Sequence, residues 1–212
     1  RGVAVIADEI MCGLGRHGEG GVTFLSDAWN LPVDGITFGK AVAAGVYPLS
    51  GVVLREGRRD LARTGRTSYQ SHTYAHGAHA ASLITARCVL RTLRGGAWTN
   101  RANTLGEICG KMLRAAVRRS QAYCAGHATL KLHGQGLMWG VLCVTPSVVQ
   151  REEWMRLFRK ACRQHRVLPY FVPTGGFMIT PVLDISRDDL CHALRAIDAA
   201  LVASVVEAYR TM

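Results

Sequence analysis

Two side chains stand out for the chemistry they could do together. Lys40 is the only lysine in the first 110 residues, and it sits in Phe38-Gly39-Lys40-Ala41-Val42-Ala43-Ala44-Gly45, an apolar, glycine-flanked turn. A lysine in such surroundings is costly unless it is paired or neutral. Desolvation lowers the pKa of an ammonium, and the neutral amine is the nucleophile that forms an imine. Taken alone, Lys40 is explained equally well as a lysine snorkelling from a helix start. Asp8 closes the run Val3-Ala4-Val5-Ile6-Ala7-Asp8, which is expected to be a buried strand, with Glu9 as a second acid beside it. A carboxylate there is unfavourable unless something positive meets it. An acid at a strand end facing water is the plainer alternative.

The two residues together fit a cofactor with a protonatable ring nitrogen at one end and an aldehyde at the other. Pyridoxal phosphate has both: an acid holds the proton on the pyridine nitrogen, and a lysine bonds the aldehyde carbon. Ser71-His72-Thr73-Tyr74, placed just before an alanine-rich helical segment, adds hydroxyl and N–H groups suited to a phosphate. Ordinary helix capping accounts for that segment at least as well on local sequence.

Other motifs lead elsewhere and fall away. Gly13-Leu14-Gly15-Arg16-His17-Gly18 matches a dinucleotide fingerprint, but Asp8-Glu9-Ile10-Met11-Cys12 separates it from the strand's end, and no helical periodicity follows Gly18. Gly39-Lys40-Ala41 lacks the upstream glycine and the following hydroxyl of a P-loop. His72, His76 and His79 have a spacing that one helix face could present, yet Gly77 interrupts it and no carboxylate is near in sequence, so no metal site is expected.

The elements that must position these residues follow from periodicity. Gly35 to Gly39 and Leu49 to Leu54 are expected as short strands, and Gly77 to Leu93 as an alanine-rich helix buried on several sides. After Gly95-Gly96 the texture changes. Leu105, Ile108, Cys109, Met112, Ala116 and Val117 recur at helical spacing with Arg114, Arg118 and Arg119 facing outward. Leu130 to Leu132 and Leu137 to Val144 are expected as strands separated by Gly134 and Gly136. Ser147-x-x-Gln150 is a capping box opening a helix to about His165. Short strands near Val167 and over Phe177 to Thr180 precede a last helix, striped by Leu190, Leu194, Ile197, Leu201 and Val205. Residues 1–98 thus form pieces of an α/β layer, and residues 99–212 a compact α+β unit.

Composition narrows the class. Nearly half of the 212 residues are apolar, and no uninterrupted apolar stretch reaches the ~18–20 residues of a membrane span, so the chain is expected to be soluble. The net charge of +11 raises nucleic-acid binding, but basic residues are spread along the chain and arginine outnumbers lysine more than fivefold. A solvated basic surface is the expectation, since phosphate binding wants a concentrated stripe. Seven cysteines without a C-x-x-C pair, among them Cys88, Cys109, Cys143 and Cys162 in apolar segments, point to reduced, mostly buried thiols in a reducing compartment, the cytoplasm or an organelle. The chain opens on Arg1-Gly2 directly before an apolar segment, so preceding sequence, with any targeting signal, is expected to be missing.

Several motifs in order resemble one family. Ala7-Asp8-Glu9-Ile10-Met11-Cys12-Gly13-Leu14-Gly15-Arg16-His17-Gly18 is similar to the class III aminotransferase segment that places the pyridine-binding aspartate. Asp34-Gly35-Ile36-Thr37-Phe38-Gly39-Lys40-Ala41, with Tyr47-Pro48-Leu49-Ser50-Gly51, resembles the Schiff-base lysine segment and the strand after it. His72-Thr73-Tyr74 resembles the element whose threonine reaches the cofactor phosphate of the neighbouring subunit, and Gly134-Gln135-Gly136-Leu137-Met138-Trp139-Gly140 a small-domain signature.

The resemblance implies fold type I: residues 1–98 as the C-terminal part of the cofactor-binding large domain and residues 99–212 as the small C-terminal domain. It implies pyridoxal 5'-phosphate as cofactor, with Lys40 and Asp8 catalytic and Ile10, Met11 and Thr73 beside the cofactor. Ile10 would pack on a ring face. Met11 stands where many members have a glutamine, Ala78 where a proline is common, and Met178 where many carry an arginine for the substrate α-carboxylate. Family members run to roughly twice this length, and the uncovered half carries a phosphate-binding loop and an aromatic ring over the cofactor. The implied activity is transamination between an amine or ω-amino donor and a keto acid or aldehyde. Aminomutases, racemases and lyases share these residues, and a non-catalytic half-subunit is a further alternative. The implied assembly is a homodimer, or a heteromer with a chain supplying the other half.

Overall fold

The computed structural model describes residues 3–58 and 79–209. The chain divides into two compact units, Arg1–Asn100 and Arg101–Met212.

The first unit is built on a three-stranded sheet in the order β1 (Ile6–Asp8), β2 (Gly35–Phe38), β3 (Gly51–Leu54). β1 and β2 run parallel with Asp8 opposite Thr37, and β3 returns antiparallel to β2. Parallel strands need a crossover rather than a tight hairpin. Here it is the glycine-rich turn after Asp8 and the short helix α1 (Leu25–Ala28). Gly51 faces Phe38 so closely that any Cβ would enter the ring, which accounts for glycine at that pairing position. Asp34, just before β2, ties the sheet together. Its Oδ2 accepts the Val5 N–H at 2.9 Å, and its Oδ1 pairs with Arg55 at 2.9 Å and Arg58 at 2.5 Å.

Helix α2 (Ala80–Leu93) departs from the expectation of burial on several sides. Only Ser82, Ala86 and Leu93 are buried, whereas Leu83 and Ile84 are 47% and 64% exposed. Alanine and leucine content signals helix propensity as well as burial. A unit with one small sheet has too little surface to cover such a helix all round.

The second unit contains a four-stranded antiparallel sheet, β4 (Thr129–Gln135), β5 (Met138–Val144), β7 (Gly176–Ile179), β6 (Tyr170–Val172), in that spatial order. Trp139, Val141 and Cys143 alternate inward along β5, while Leu142 and Val144 face out. Helices α3 (Ala97–Gln121), α4 (Val148–Gln164) and α5 (Arg187–Tyr209) share one core with the sheet, centred on Leu113, Trp154, Phe158, Phe177, Leu194 and Leu201. Ser147 caps α4 by accepting the Gln150 N–H at 3.2 Å. The reciprocal half of the capping box runs through Thr145, which receives the Ser147 N–H and donates to Gln150 Oε1.

The β4–β5 hairpin differs in one respect from a pair of strands parted by two glycines. Gly134 lies inside β4, and the two-residue turn is Gly136-Leu137. At Gly134 a Cβ would meet the backbone of Met138 and Trp139, and at Gly136 φ is +52°. Gly106 of α3 crosses that turn with no room for a side chain. The strand expected near Val167 begins only at Tyr170, because Arg166 ends α4 in the left-handed region with φ +55°.

Candidate active site

The C-terminal ends of β1 and β2 lie side by side in the parallel pair, and each carries one of the two residues singled out for chemistry. Asp8 is the last residue of β1. Its Oδ1 accepts the Thr37 hydroxyl at 3.2 Å and the Ile10 N–H at 3.1 Å, while its Oδ2 takes no hydrogen bond among the described residues. The carboxylate is thus oriented through one oxygen and open through the other. Asp8 is exposed, not set in a buried strand, because β1 spans only three residues with one paired edge.

Lys40 follows β2 by two residues and opens a 3-10 turn, Lys40–Ala43. It too is exposed, with no hydrogen bond or ion pair on its amine among the described residues. The apolar surroundings inferred from its neighbours belong to Gly39, Val42 and Ala43, which are buried while the lysine projects outward. Its backbone has φ +44°, in the left-handed region that a side chain with a Cβ normally avoids. Ile10 lies against this turn: a Cβ on Gly39 would be 3.6 Å from its Cγ2. Asp8, Ile10 and Lys40 are therefore assembled around the two strand ends. Met11 sits half-buried in the turn after Ile10. Thr73, with Ser71, His72, Tyr74, His76 and Ala78, lies outside the described residues.

His79 caps α2. Its Nδ1 accepts the Ser82 N–H at 3.4 Å, and Ser82 Oγ donates to the Pro48 carbonyl at 3.1 Å. Its ring packs against Tyr47 at 5.3 Å. These contacts fasten the start of α2 to the segment downstream of Lys40.

Two supporting residues were given no role by the sequence. Thr37 orients Asp8, which only the strand register reveals. Glu9 is buried, and its carboxylate accepts the Leu25 N–H at 2.6 Å, the Ser26 N–H at 2.7 Å and the Ser26 hydroxyl at 2.5 Å. Glu9 thereby satisfies the free N–H groups that open α1, which its own N-cap residue, Phe24, cannot. An acid beside a strand end with a helix start sixteen residues on was the available clue. At His17, also buried, desolvation is the main cause of a lowered pKa, against opposing hydrogen bonds and nearby acids.

A parallel strand pair presenting an open carboxylate and an uncommitted amine at its carboxyl end matches the place where open α/β sheets bind ligands. The donor set fits pyridoxal phosphate: an acid free to hold a ring N–H and an amine free to bond an aldehyde. The chain belongs to the class III aminotransferases, the family described as "Aminotransferase class-III" matching residues 1–201. It is 27% identical over 201 residues to the ornithine aminotransferase car2 of Schizosaccharomyces pombe, covering 94% of this chain and 41% of that one. It is 30% identical over 140 residues to the uncharacterized aminotransferase YodT of Bacillus subtilis, covering 66% and 29%.

Among solved structures, an S-selective transaminase from Arthrobacter sp. with alanine bound superposes with a TM-score of 0.78 at 21% identity, over 94% of this chain and 44% of that one. The ornithine aminotransferase of Toxoplasma gondii, crystallized with partial occupancy of PLP at its active site, gives 0.73 at 22% identity, over 97% and 44%. The fold is that of the type I pyridoxal-phosphate transaminases. The chain spans less than half the length of these relatives.

Proposed function

We propose that this chain supplies the lysine and aspartate side of a pyridoxal-phosphate aminotransferase site, moving an amino group from an amine or ω-amino donor to a keto acid or aldehyde. The observation that carries the reading is the placement of Asp8 and Lys40 at adjacent ends of a parallel strand pair, within a member of the class III family.

Asp8 would hold the proton on the pyridine nitrogen through its open Oδ2, while Thr37 and the Ile10 N–H keep the carboxylate in place. Bound there, the cofactor supplies an electron sink for charge developing on the substrate carbon. Lys40 Nζ would hold the cofactor at its aldehyde carbon. As a free amine, the same nitrogen would be the base that moves a proton from the amine-bearing carbon. Ile10 would pack on a ring face, and Met11 would lie beside the ring without a side-chain donor for its hydroxyl. By the family resemblance, Thr73 would serve the phosphate bound by a neighbouring subunit, in a homodimer or in a heteromer with a chain carrying the other half. Residues 1–98 and 99–212 then serve as the end of the large domain and as the small domain. Seven free cysteines suit a reducing compartment such as the cytoplasm.

Borohydride reduction of the full-length protein followed by peptide mass analysis tests the reading. The pyridoxyl group is expected on Lys40; label on Lys111, Lys131 or Lys160 instead would overturn it.

The donor class rests on Met178. A substrate α-carboxylate wants a bidentate guanidinium, worth about 1.5–3 kcal/mol for a charged hydrogen bond. Met178, half-buried on β7, stands by the family resemblance where that arginine would be and offers none. Donors whose carboxylate is distant or absent are expected to outperform α-amino acids in a donor panel, and Met178→Arg should reverse that order. Simple α-amino acids emerging as the best donors of the unmodified enzyme would refute this assignment.

A further inference from the structure

The basic residues of α4, already close together in the sequence, border one cavity in the second unit. Arg151, Arg156, Arg159, Lys160 and Arg163 all lie on α4 and line a space of about 510 Å³, against a single acid, Glu152. That volume lies within the roughly 300–1,000 Å³ of small-molecule pockets.

Two of the five are committed elsewhere: Arg156 is paired with Glu153 at 2.6 Å, and Lys160 with Glu207 at 3.2 Å. Arg151, Arg159 and Arg163 have no carboxylate partner among the described residues. What distinguishes the cavity from an ordinary solvated helix face is its second wall, the turn joining β6 and β7. Gly175, at φ +94°, brings its backbone beneath Arg151 so closely that any Cβ would collide with that side chain's stem. Arg159 lies over the Phe171 ring at 4.9 Å. The Arg159 guanidinium and the stem of Arg151 thus have protein neighbours before any ligand arrives, which lowers the ordering cost of binding. Met155, Val172 and Pro173 add apolar lining between them.

We propose that this cavity binds an elongated small molecule carrying a di- or triphosphate. Arginine forks match phosphate oxygens two at a time. Arg159 and Arg163 stand one helical turn apart, about 6 Å along the axis, and grip the phosphates. Arg151 lies about 12 Å from Arg159 on the same axis and meets polar atoms of the organic part, whose body rests on the apolar lining. An extended nucleic acid fits less well. The aromatic face it would stack on, Phe171, is already covered by Arg159, and Glu152, Glu153 and Glu207 interrupt the positive surface.

Calorimetric titration of the full chain at low salt with ATP, inorganic tripolyphosphate and a 20-nucleotide single strand tests the proposal. Saturable one-to-one binding of ATP and tripolyphosphate is expected. Tighter ATP binding would identify a nucleotide-like source, and equal affinity a polyphosphate one. Arg159→Gln/Arg163→Gln should weaken both ligands by about tenfold or more, and Arg151→Gln should weaken ATP more than tripolyphosphate. Arg118→Gln on α3 should change neither. Thermal melts of each variant separate lost binding from lost folding; the Arg159/Arg163 pair does not depend on the packing of Arg151. Absence of saturable binding, unchanged affinity in the folded double variant, or tighter oligonucleotide binding through these arginines would each overturn the proposal.

Discussion

Lys40 combines a reactive side chain with an unfavourable backbone. A left-handed conformation costs an L-residue roughly 1–2 kcal/mol, and such strain persists where the surroundings enforce it. Here Gly39 is fully extended and buried, and the 3-10 turn begins at once, so the chain reverses within a residue of β2 and turns the amine outward. Glycine at position 40 would relieve the strain, less its own entropic cost of roughly 0.5–1 kcal/mol. Lys40→Gly is therefore expected to be about 1 kcal/mol more stable than Lys40→Ala in urea unfolding, although both remove the amine. Equal stabilities would mean that the turn relaxes when the side chain is lost. The lysine itself was legible as the lone lysine of the first hundred residues, in a motif. Its strain was not, because it arises from the path between β2 and the buried Val42 and Ala43, which no local pattern encodes.

At the scale of elements, legibility followed periodicity. The stripe on α5 is buried as its spacing requires, and the amphipathic α3 carries Arg114, Arg118 and Arg119 on its exposed side. Features that depend on which strand lies beside which were opaque. Asp34 appears in the sequence only as part of a motif. In the fold, the antiparallel register that sets Gly35 opposite Leu54 brings Arg55 and Arg58 to its carboxylate and makes it the tie between β1, β2 and the chain after β3. The Val5 N–H is the main force holding the Asp34 carboxyl below its usual pKa, with burial opposing it and Arg58 and Arg55 assisting. A group whose pKa is depressed by folding contributes stability above its unfolded value, near pH 4, and loses it as the pH falls through the folded value. Acid unfolding is therefore expected to be steeper in the wild type than in Asp34→Asn, with the two curves converging at the acid end. Urea midpoints measured between about pH 2 and pH 7 would show it. Parallel curves across that range would mean that these contacts do not couple to folding.

On the scale of the whole molecule, the proposed site has only its lysine and aspartate side in this chain. Asp8 and Lys40 are open to water, and the first unit leaves Val52, Val53, Leu83, Ile84 and Leu90 exposed. No helix among the described residues is long and apolar enough to cross a membrane, so these residues form no such span. By the family resemblance, a phosphate loop and a stacking ring would lie in the portion of its members that this chain does not span, and phosphate contacts dominate the anchoring of a small anionic cofactor. Losing two charge-assisted hydrogen bonds costs about 3–6 kcal/mol, which corresponds to roughly a hundredfold or more in affinity. The 212-residue chain alone is therefore expected to bind pyridoxal phosphate at least about a hundredfold more weakly than a chain or complex that includes the other half. Equilibrium dialysis with absorbance detection measures both. Borohydride trapping then reports whether the weak binding of the short chain still occurs at Lys40, which separates a lost anchor from a lost site. Tight, stoichiometric cofactor in a sample shown by mass to contain only these residues would mean that phosphate anchoring lies within this chain, with residues 59–78 around Thr73 as the first place to look for it.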